Sequence, residues 1–280
     1  MKLYENQTFS SERALYGADG VRLVRCAFEG EEDGESALKE SSHVELESCR
    51  MDLRYPLWHG TDLALRDVEM TPGCRAALWY AKSVRISDSR LHGIKAVREC
   101  EDVEMDRCDV VSPEFGWKSR KLSMDRVSLE GEYVFLEARD IAFSNGKLKG
   151  KYSFQYVENA VVEHCDLDTK DAFWHSRNVT VRDSTVRGEY LAWYSEGLTL
   201  ERCRIIGTQP LCYARGLTLR DCAMEGCDLS FEYSDVEADV RGEILSVKNP
   251  RSGTIRAGSY GAVLFTDDAK MPCRAAVLTK

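Results

Sequence analysis

The sequence predicts an all-β protein: a right-handed, single-stranded parallel β-helix with three short strands in each turn of about 19 residues. Three observations lead to this fold. An apolar position recurs at a fixed interval, a cysteine-rich column lies five residues after it, and turn-forming residues bracket both. Self-similarity of this kind identifies repeat proteins, in which each unit buries its apolar face against its neighbours.

The repeat is clearest at Gly197–Gly207, which is followed nineteen residues later by a second copy at Gly216–Gly226. Apolar residues alternate at the start of each copy, as they do in a strand. Every step of the first apolar position from Val84 onward is nineteen residues long, and we therefore expect about twelve turns. The position comprises Val21, Val44, Leu63, Val84, Val103, Leu122, Ile141, Ala160, Val179, Leu198, Leu217 and Val236.

The second strand of each turn begins with a column of small side chains. Six of the eleven cysteines occupy this column, and Val, Ser and Gly fill it in other copies. Free cysteine behaves as a small hydrophobic residue, so the column indicates a packed interior position. Because no Cys-x-x-Cys pair occurs, we expect no metal site, and no motif indicates a cofactor. The column comprises Cys26, Cys49, Val68, Ser89, Cys108, Val127, Gly146, Cys165, Ser184, Cys203 and Cys222.

Two further columns predict corners of the turn. A Gly, Asp or Asn residue precedes the first strand in nine copies, from Gly20 to Asp235, and these residue types tolerate the left-handed conformation. A glycine column follows the second strand, where we expect a corner with positive φ. It comprises Gly30, Gly93, Gly131, Gly150, Gly188, Gly207 and Gly226.

The third strand carries the side chains with useful chemistry. An apolar column is followed by a tryptophan column, which holds all five tryptophans, and then by a polar column. The tryptophan column includes Tyr16, Lys39, Trp58, Trp79, Arg98, Trp117, Gln155, Trp174, Trp193 and Phe231. The polar column includes His59, Tyr80, Glu99, Lys118, Glu137, Tyr156, His175, Tyr194, Tyr213 and Glu232. Which of these two columns faces solvent stays open.

Two other repeat architectures have similar periods. A leucine-rich repeat needs leucine three residues before the first strand, where this sequence has small residues such as Ala81 and Ser195. A left-handed hexapeptide helix would repeat its signal within each turn. The parallel β-helix remains, with like residues about 4.8 Å apart along its axis. We expect it at residues 14–242, with an N-terminal cap at 1–13 and closing strands and a tail at 243–280.

The charge and hydropathy of the chain restrict its partners. The net charge is −9 and the pI is about 5.3, and no basic stripe is present to neutralise nucleic-acid phosphates. No apolar run has the length of a membrane span, and the N-terminus lacks the apolar segment of a secretory signal. We therefore expect a cytoplasmic protein that binds neither nucleic acid nor membrane.

Seven short motifs are distributed along the chain. They are Ala77-Leu-Trp-Tyr80, Gly93-Ile-Lys-Ala96, Pro113-Glu-Phe-Gly-Trp-Lys118, Lys151-Tyr-Ser-Phe-Gln-Tyr156, Asp171-Ala-Phe-Trp-His175, Ile206-Gly-Thr-Gln-Pro-Leu-Cys-Tyr213 and Val247-Lys-Asn-Pro250. In these motifs the sequence resembles a bacterial family of uncharacterised proteins, a domain of unknown function with a pectate-lyase-like parallel β-helix repeat. The resemblance implies the fold and carries over no activity.

The tryptophan and polar columns form the candidate site. Aromatic faces stack on sugar rings, and charged tips bind hydroxyl and carboxylate groups. Our leading hypothesis is a binding or scaffold protein whose face recognises a carbohydrate or another protein. Its ligand-binding residues would be Trp58, Trp79, Tyr80, Arg98, Trp117, Tyr156, Trp174, Trp193, Tyr194 and Tyr213.

Two alternatives remain. The first is a carbohydrate-active enzyme, similar to a polysaccharide lyase or a glycoside hydrolase, whose candidate acid–base groups are Glu99, Lys118, Glu137, His59 and His175. The second is a structural rod that self-associates end to end, which leaves a homo-oligomer open. Stacked aromatic rings and alternating charges also arise from stability alone, because neighbouring strands favour such pairs.

Overall fold

The computed structural model describes residues 1–30 and 35–280, which contain strands and turns and no helix. The chain comprises two compact units, Met1–Gly146 (unit 1) and Lys147–Lys280 (unit 2). In each unit the chain winds in turns of about nineteen residues, and like strands of successive turns pair in parallel. Each unit is a parallel β-solenoid, so the predicted fold class is confirmed. The described residues hold no helix that is long and apolar enough to cross a membrane.

The first strand of each turn contributes the longest ladder, in which Val84 and Ile86 point inward and Arg85 points outward. In unit 1 these strands are β1 (Lys2–Glu5), β3 (Asp19–Val24), β5 (Ser42–Glu47), β7 (Thr61–Arg66), β10 (Lys82–Ser87), β13 (Glu101–Asp106), β15 (Arg120–Asp125) and β17 (Arg139–Ser144). In unit 2 they are β19 (Glu158–Glu163), β21 (Arg177–Arg182), β23 (Thr199–Glu201), β25 (Leu217–Glu225), β26 (Asp235–Arg241), β28 (Ser252–Ala257) and β30 (Ala276–Thr279).

The second strands are shorter. In unit 1 they are β2 (Thr8–Phe9), β4 (Ala27–Phe28), β6 (Arg50–Met51), β8 (Glu69–Met70), β11 (Arg90–Leu91), β14 (Asp109–Val111) and β16 (Ser128–Glu132). In unit 2 they are β18 (Lys147–Lys151), β20 (Asp166–Lys170), β22 (Thr185–Arg187) and β24 (Arg204–Ile206). Strand β25 covers both positions of its turn, and β27 (Glu243–Lys248) pairs with β29 (Ser259–Leu264) in a separate sheet.

The third segment of the turn is less regular than expected. It is a strand only at β9 (Leu78–Trp79) and β12 (Val97–Arg98), and elsewhere it is mostly a hydrogen-bonded turn. The reason is local backbone geometry. Residues such as Phe173 and His175 have φ values of 61° and 55° in the left-handed region, which interrupts an extended strand.

The ladder register matches the repeat and extends beyond it. Val84 pairs with Val103, and Val103 pairs with Leu122, each nineteen residues on. The described residues contain eight first strands in unit 1 and seven in unit 2, more than the twelve expected. The three additional turns contain β1, β28 and β30. The sequence did not predict these turns because their residues lack the repeat signal. The boundaries at residues 13 and 242 stay predictions, and residues 31–34 lie outside the described residues.

The cysteine-rich column is an interior position with a hydrogen-bonding task. The Oγ of Ser184 accepts a hydrogen bond from the backbone N–H of Cys165 at 3.0 Å and donates to the carbonyl of Arg182. The Sγ of Cys49 likewise accepts from the N–H of Cys26 and donates to backbone carbonyls. Because both side chains can donate and accept, Ser and Cys interchange along the column. Val68, Val127 and Gly146 lack such a group, and at Gly146 the ring of Phe143 occupies the space a Cβ would need.

Three of the seven glycines in the predicted column, Gly188, Gly207 and Gly226, have the expected positive φ, and the other four do not. Gly93 and Gly131 do not have positive φ. A Cβ at Gly93 would lie 2.2 Å from the carbonyl oxygen of Cys74, and one at Gly131 would lie 2.4 Å from that of Ser112. Close approach of the preceding turn therefore selects glycine at these positions. The other corner is confirmed, because Asp62 and Asn178 both have φ of 53°.

Replacing Val181 by Asp tests the assignment of the interior column. Val181 is fully buried, so an unpaired carboxylate there should lower the free energy of unfolding by about 3 kcal/mol or more. Chemical denaturation measures the change. The matched control is Thr180→Asp on the outward side of the same strand, which should change stability far less. Equal effects of the two substitutions would show that the inward and outward positions are misassigned.

Ser184 provides a test of the hydrogen-bonding task. Ser184→Ala leaves the buried N–H of Cys165 without its acceptor and should cost about 1–3 kcal/mol of unfolding free energy. Ser184→Cys keeps an acceptor and should be tolerated better. Urea denaturation of both variants measures the difference, and an alanine variant as stable as the cysteine variant would contradict this role.

Candidate functional site

The tryptophan and polar columns are fixed by the backbone at one corner of each turn. Polar-column residues such as Tyr80 and His175 have left-handed φ values of 59° and 55°. The N–H of each donates to the carbonyl of the tryptophan-column residue one turn later, as from His175 to Trp193 at 3.0 Å. This bond sets successive turns in register, so that side chains in each column stack.

The structure decides which column faces solvent. The tryptophans are half-buried, whereas polar-column residues such as Tyr156 and Tyr194 are 51% and 43% exposed. One column assignment is wrong at the end of the repeat. Phe231 is fully buried in the apolar column, and Glu232 takes the tryptophan-column position opposite Tyr213. The turn from Leu211 to Phe231 has 20 residues (231 − 211), one more than the repeat, and this shifts the register.

In unit 1 the tryptophan column is a stack of rings and cations. The rings of Trp58 and Trp79 lie 5.6 Å apart at 17°. The Nζ of Lys39 lies 4.3 Å from the ring of Trp58, and the guanidinium of Arg98 lies between Trp79 and Trp117 at 5.1 and 4.6 Å. In these five residues, which we call the unit 1 stack, each ring lies against a neighbouring ring or cation. Their cations are therefore already engaged in cation–π contacts.

In the polar column of unit 1, the candidate acid–base residues contact different partners and do not form one cluster. Glu99 accepts hydrogen bonds from Trp79 at 3.3 Å and from Arg98 at 3.4 Å. Lys118 pairs with Glu137 at 3.7 Å, and both side chains are about half exposed. The ring of His59 stacks on that of Tyr80 at 4.8 Å. The structure thus brings together Lys118 and Glu137, and Glu99 and Arg98, as two ion pairs.

In unit 2 the polar column is an unbroken row of rings, which we call the unit 2 ladder: Tyr156, His175, Tyr194 and Tyr213. Successive ring centroids are 4.8, 5.0 and 4.9 Å apart, with interplanar angles of 5°, 9° and 17°. Trp174 and Trp193 stack beside the ladder at 5.4 Å and 2°. Their indole N–H groups donate to the backbone carbonyls of Tyr190 and Gln209, which fixes both rings.

The ladder presents ring edges, not ring faces, to solvent. Each interior face is covered by the next ring, so the expected stacking of sugar rings on open aromatic faces has no surface within the ladder. The edges carry three phenol hydroxyls and one imidazole. Among the described residues these polar tips have no side-chain or backbone hydrogen-bond partner. The ladder is a row of available donors and acceptors about one strand spacing apart.

A pocket of about 300 Å³ opens beside the ladder in unit 2. It is lined by His175, Tyr194, Glu196, Tyr213, Arg215, Tyr233, Arg251 and Met271. The C-terminal segment forms one side, since the N–H of Lys270 donates to the hydroxyl of Tyr233 at 3.1 Å and that of Arg274 donates to the carbonyl of Arg251 at 2.9 Å. Sequence reasoning missed Arg251 and Met271 because they lie outside the repeat register, and it missed Arg215 because that residue lies outside the tryptophan and polar columns.

Three charged side chains line the pocket. Glu196 and Arg251 form ion pairs, and Arg215 forms none among the described residues. Glu196 pairs with Arg177 at 3.5 Å, and Arg251 donates to Asp235 at 2.6 Å. The hydrogen bond from Arg251 lowers the pKa of Asp235, and the charge of Arg215 adds to this effect. Burial raises the pKa of Tyr213 to about 12, with a further contribution from the carboxylate of Glu232. Tyr213 is therefore a neutral phenol at physiological pH.

Two other features of the described residues lie outside these columns. A groove of about 530 Å³ in unit 1 runs over the outward face of the first strands, where Ala64 and Ser123 are small and Arg22 and Arg66 pair with Glu47. Within residues 1–30 and 35–280, no group of three or more His, Cys, Asp or Glu side chains is arranged to hold a metal ion.

Comparisons with known proteins extend over most of the chain. A family model described as "Protein of unknown function (DUF3737)" matches residues 2–278, which confirms the resemblance to an uncharacterised family. No curated protein matches the sequence.

Two similar solved structures have low sequence identity to this chain. The mannuronan C-5 epimerase AlgE4 A-module of Azotobacter vinelandii is 10% identical, with a TM-score of 0.31 over 98% of this chain and 89% of its own. PfbA, a surface adhesin of Streptococcus pneumoniae, is 9% identical, with a TM-score of 0.37 over 95% of this chain and 84% of its own. The likenesses at these values carry no conclusion about function.

Alkaline titration tests the environment of Tyr213. Its folded-state pKa of about 12 lies above the value of about 10 for an unfolded chain. Its contribution to stability should therefore be complete below pH ~10 and be lost as the pH rises towards 12. The difference in tyrosinate absorbance between wild type and Tyr213→Phe measures this ionisation. A difference that titrates at the pH of the denatured protein's tyrosines would contradict the partly buried position of this ring.

Proposed function

Because the chain belongs to the DUF3737 family of proteins of unknown function, we propose a function from the site itself: the protein binds a carbohydrate through the ring edges of the unit 2 ladder. The observation that carries this proposal is the row of polar tips on Tyr156, His175, Tyr194 and Tyr213, which have no partner among the described residues. A ligand can therefore bind these tips without breaking a hydrogen bond within the protein.

The chemistry of the tips favours a carbohydrate over another protein. Each phenol hydroxyl both donates and accepts, as does a neutral imidazole through its two nitrogens. A sugar offers many hydroxyl groups with the same dual character. A protein interface usually centres on apolar or aromatic anchors that enter pockets, whereas the ladder covers its aromatic faces and exposes only polar edges.

The adjacent pocket supports binding at this end of the ladder. Tyr194 and Tyr213 belong to both the ladder and the pocket, so a ligand held by the tips would enter a concave space of about 300 Å³. Ligand sites are typically concave, with a few polar groups that fix orientation. The ladder would then serve as an extension of the pocket along the stack.

The enzyme hypothesis has less support. Acid–base catalysis needs a proton donor or acceptor within reach of the reacting group. Glu99 is engaged by Trp79 and Arg98, and Lys118 is engaged by Glu137. His175 lies in the ladder, between two tyrosine rings. We therefore place these residues in binding or stacking roles, and the cytoplasmic location and end-to-end association stay predictions.

Tyr194→Phe tests the proposal, because it removes one tip and keeps the stacked ring. We expect binding of the responding carbohydrate to weaken about fivefold, the effect of one hydrogen bond of about 1 kcal/mol. Calorimetric titration against neutral and acidic oligosaccharides measures the affinities, and assay of the same mixtures for cleavage products addresses the enzyme alternative.

Tyr16→Phe is the matched control for this experiment. Tyr16 is 48% exposed, lies in unit 1, and donates its hydroxyl to Glu40, so its loss should not change carbohydrate affinity. The proposal fails if no carbohydrate binds to the wild-type protein, or if Tyr194→Phe binds as tightly as the wild type.

A further inference from the structure

Arg215 differs from most other arginines of unit 2, and Arg256 and Arg274, which also lack an ion pair among the described residues, do not line the pocket. Arg177, Arg182, Arg202, Arg204, Arg220 and Arg251 each have a carboxylate within ion-pair distance. Arg215 has none among the described residues, although it is exposed and lines the pocket. In a chain with a net charge of −9, a cation left without a carboxylate beside an open pocket is a specific feature.

The backbone of Arg215 is held in place. Its N–H donates to the carbonyl of Ser195 and its own carbonyl accepts from the N–H of Gly197, both at 2.8 Å. The residue pairs in parallel with Glu196 in the same corner. The guanidinium therefore extends from a fixed point at the edge of the pocket.

No carboxylate of the described residues forms an ion pair with Arg215, although its charge acts on Asp235 from a greater distance and Glu196 lines the same pocket. Glu196 is paired with Arg177, and Asp235 is paired with Arg251. The remaining polar groups that line the pocket are the hydroxyls of Tyr194, Tyr213 and Tyr233 and the ring of His175. An anion beside Arg215 would meet a cation that forms no ion pair, together with several hydrogen-bonding groups, while the carboxylate of Glu196 lies in the same lining.

We propose that this pocket binds the anionic group, a carboxylate or a phosphate, of a sugar of about monosaccharide size, with Arg215 as its cationic ligand. The proposal rests on the carbohydrate-binding function and names the ligand class of the same site. The planar guanidinium donates two parallel hydrogen bonds to a carboxylate or phosphate.

The volume of the pocket limits the size of the ligand, and the side chains that line it indicate which other groups the ligand carries. About 300 Å³ is at the lower end of small-molecule pockets, which suits a single sugar ring rather than a long chain segment. Tyr194 and Tyr213 can bond the sugar hydroxyls, since Tyr213 stays protonated as a donor. Glu196 lines the same pocket next to Arg215, is paired with Arg177, and disfavours a second negative charge on the ligand.

The experiment is a calorimetric titration of the full chain with glucuronate, glucose 6-phosphate and glucose at low salt. We expect at least one of the acidic sugars to bind about tenfold or more tightly than glucose. Glucuronate and glucose 6-phosphate distinguish the carboxylate from the phosphate. Raising the salt concentration should weaken the acidic sugar and leave glucose unchanged.

Three variants complete the test. Arg215→Ala should remove the preference for the acidic sugar, and Arg215→Lys should restore part of it, because lysine keeps the charge and loses the planar fork. Arg256→Ala is the matched control, since Arg256 is an exposed arginine of β28 outside the pocket, and it should bind like the wild type. Circular dichroism melts confirm that each variant is folded.

The outcomes separate the inference from the function on which it rests. If neutral sugars bind, Tyr194→Phe weakens them, and Arg215→Ala has no effect on any ligand, the anion site is rejected and carbohydrate binding stands. If no sugar or oligosaccharide binds, both are rejected. Equal loss of affinity in Arg215→Ala and Arg256→Ala would also overturn the inference, since it would reveal a general effect of surface charge.

Discussion

The hydrogen bond from one turn of the chain to the next is the constraint on which the rest of this structure depends. Few backbone groups find partners within their own turn; the N–H of Thr185, for example, donates to Cys165 one turn earlier, and that of Arg204 donates to Ser184. Corners in the left-handed conformation keep each turn short enough to repeat this register. A side chain must therefore suit the equivalent residues above and below it, which explains the Ser and Cys interior column and the stacked rings.

The same constraint determines what the candidate site can do. Rings at equivalent positions lie about 5 Å apart, so they cover one another's faces and leave only their edges to solvent. The unit 2 ladder thus gains stability from stacking and retains a row of polar tips. In unit 1 the equivalent columns combine rings with Lys39 and Arg98, and those cations are engaged by the rings. Binding chemistry is available where the stack ends in hydroxyls and the C-terminal segment adds Arg251 and Met271.

The fold could be predicted from the sequence wherever the type of a residue identifies its position in the repeat. The nineteen-residue interval gave the register of Val84, Val103 and Leu122 because burial restricts those positions to apolar residues. Features set by the backbone were less visible. A close carbonyl, not positive φ, explains Gly93, and one extra residue displaced Phe231. The pocket was not predictable, because Arg215 and Met271 meet only through a C-terminal segment that lacks the repeat.

Nuclear Overhauser effects between amide protons of successive turns test the central claim most directly. In a deuterated sample the account predicts cross-peaks from Val181 to Leu200 and from Leu200 to Leu219, which are adjacent in parallel strands nineteen residues apart. Parallel pairing brings such neighbouring chains within about 5 Å. Absence of these contacts, with cross-peaks at any other interval instead, would contradict the stacked turns and remove both the ladder and the pocket.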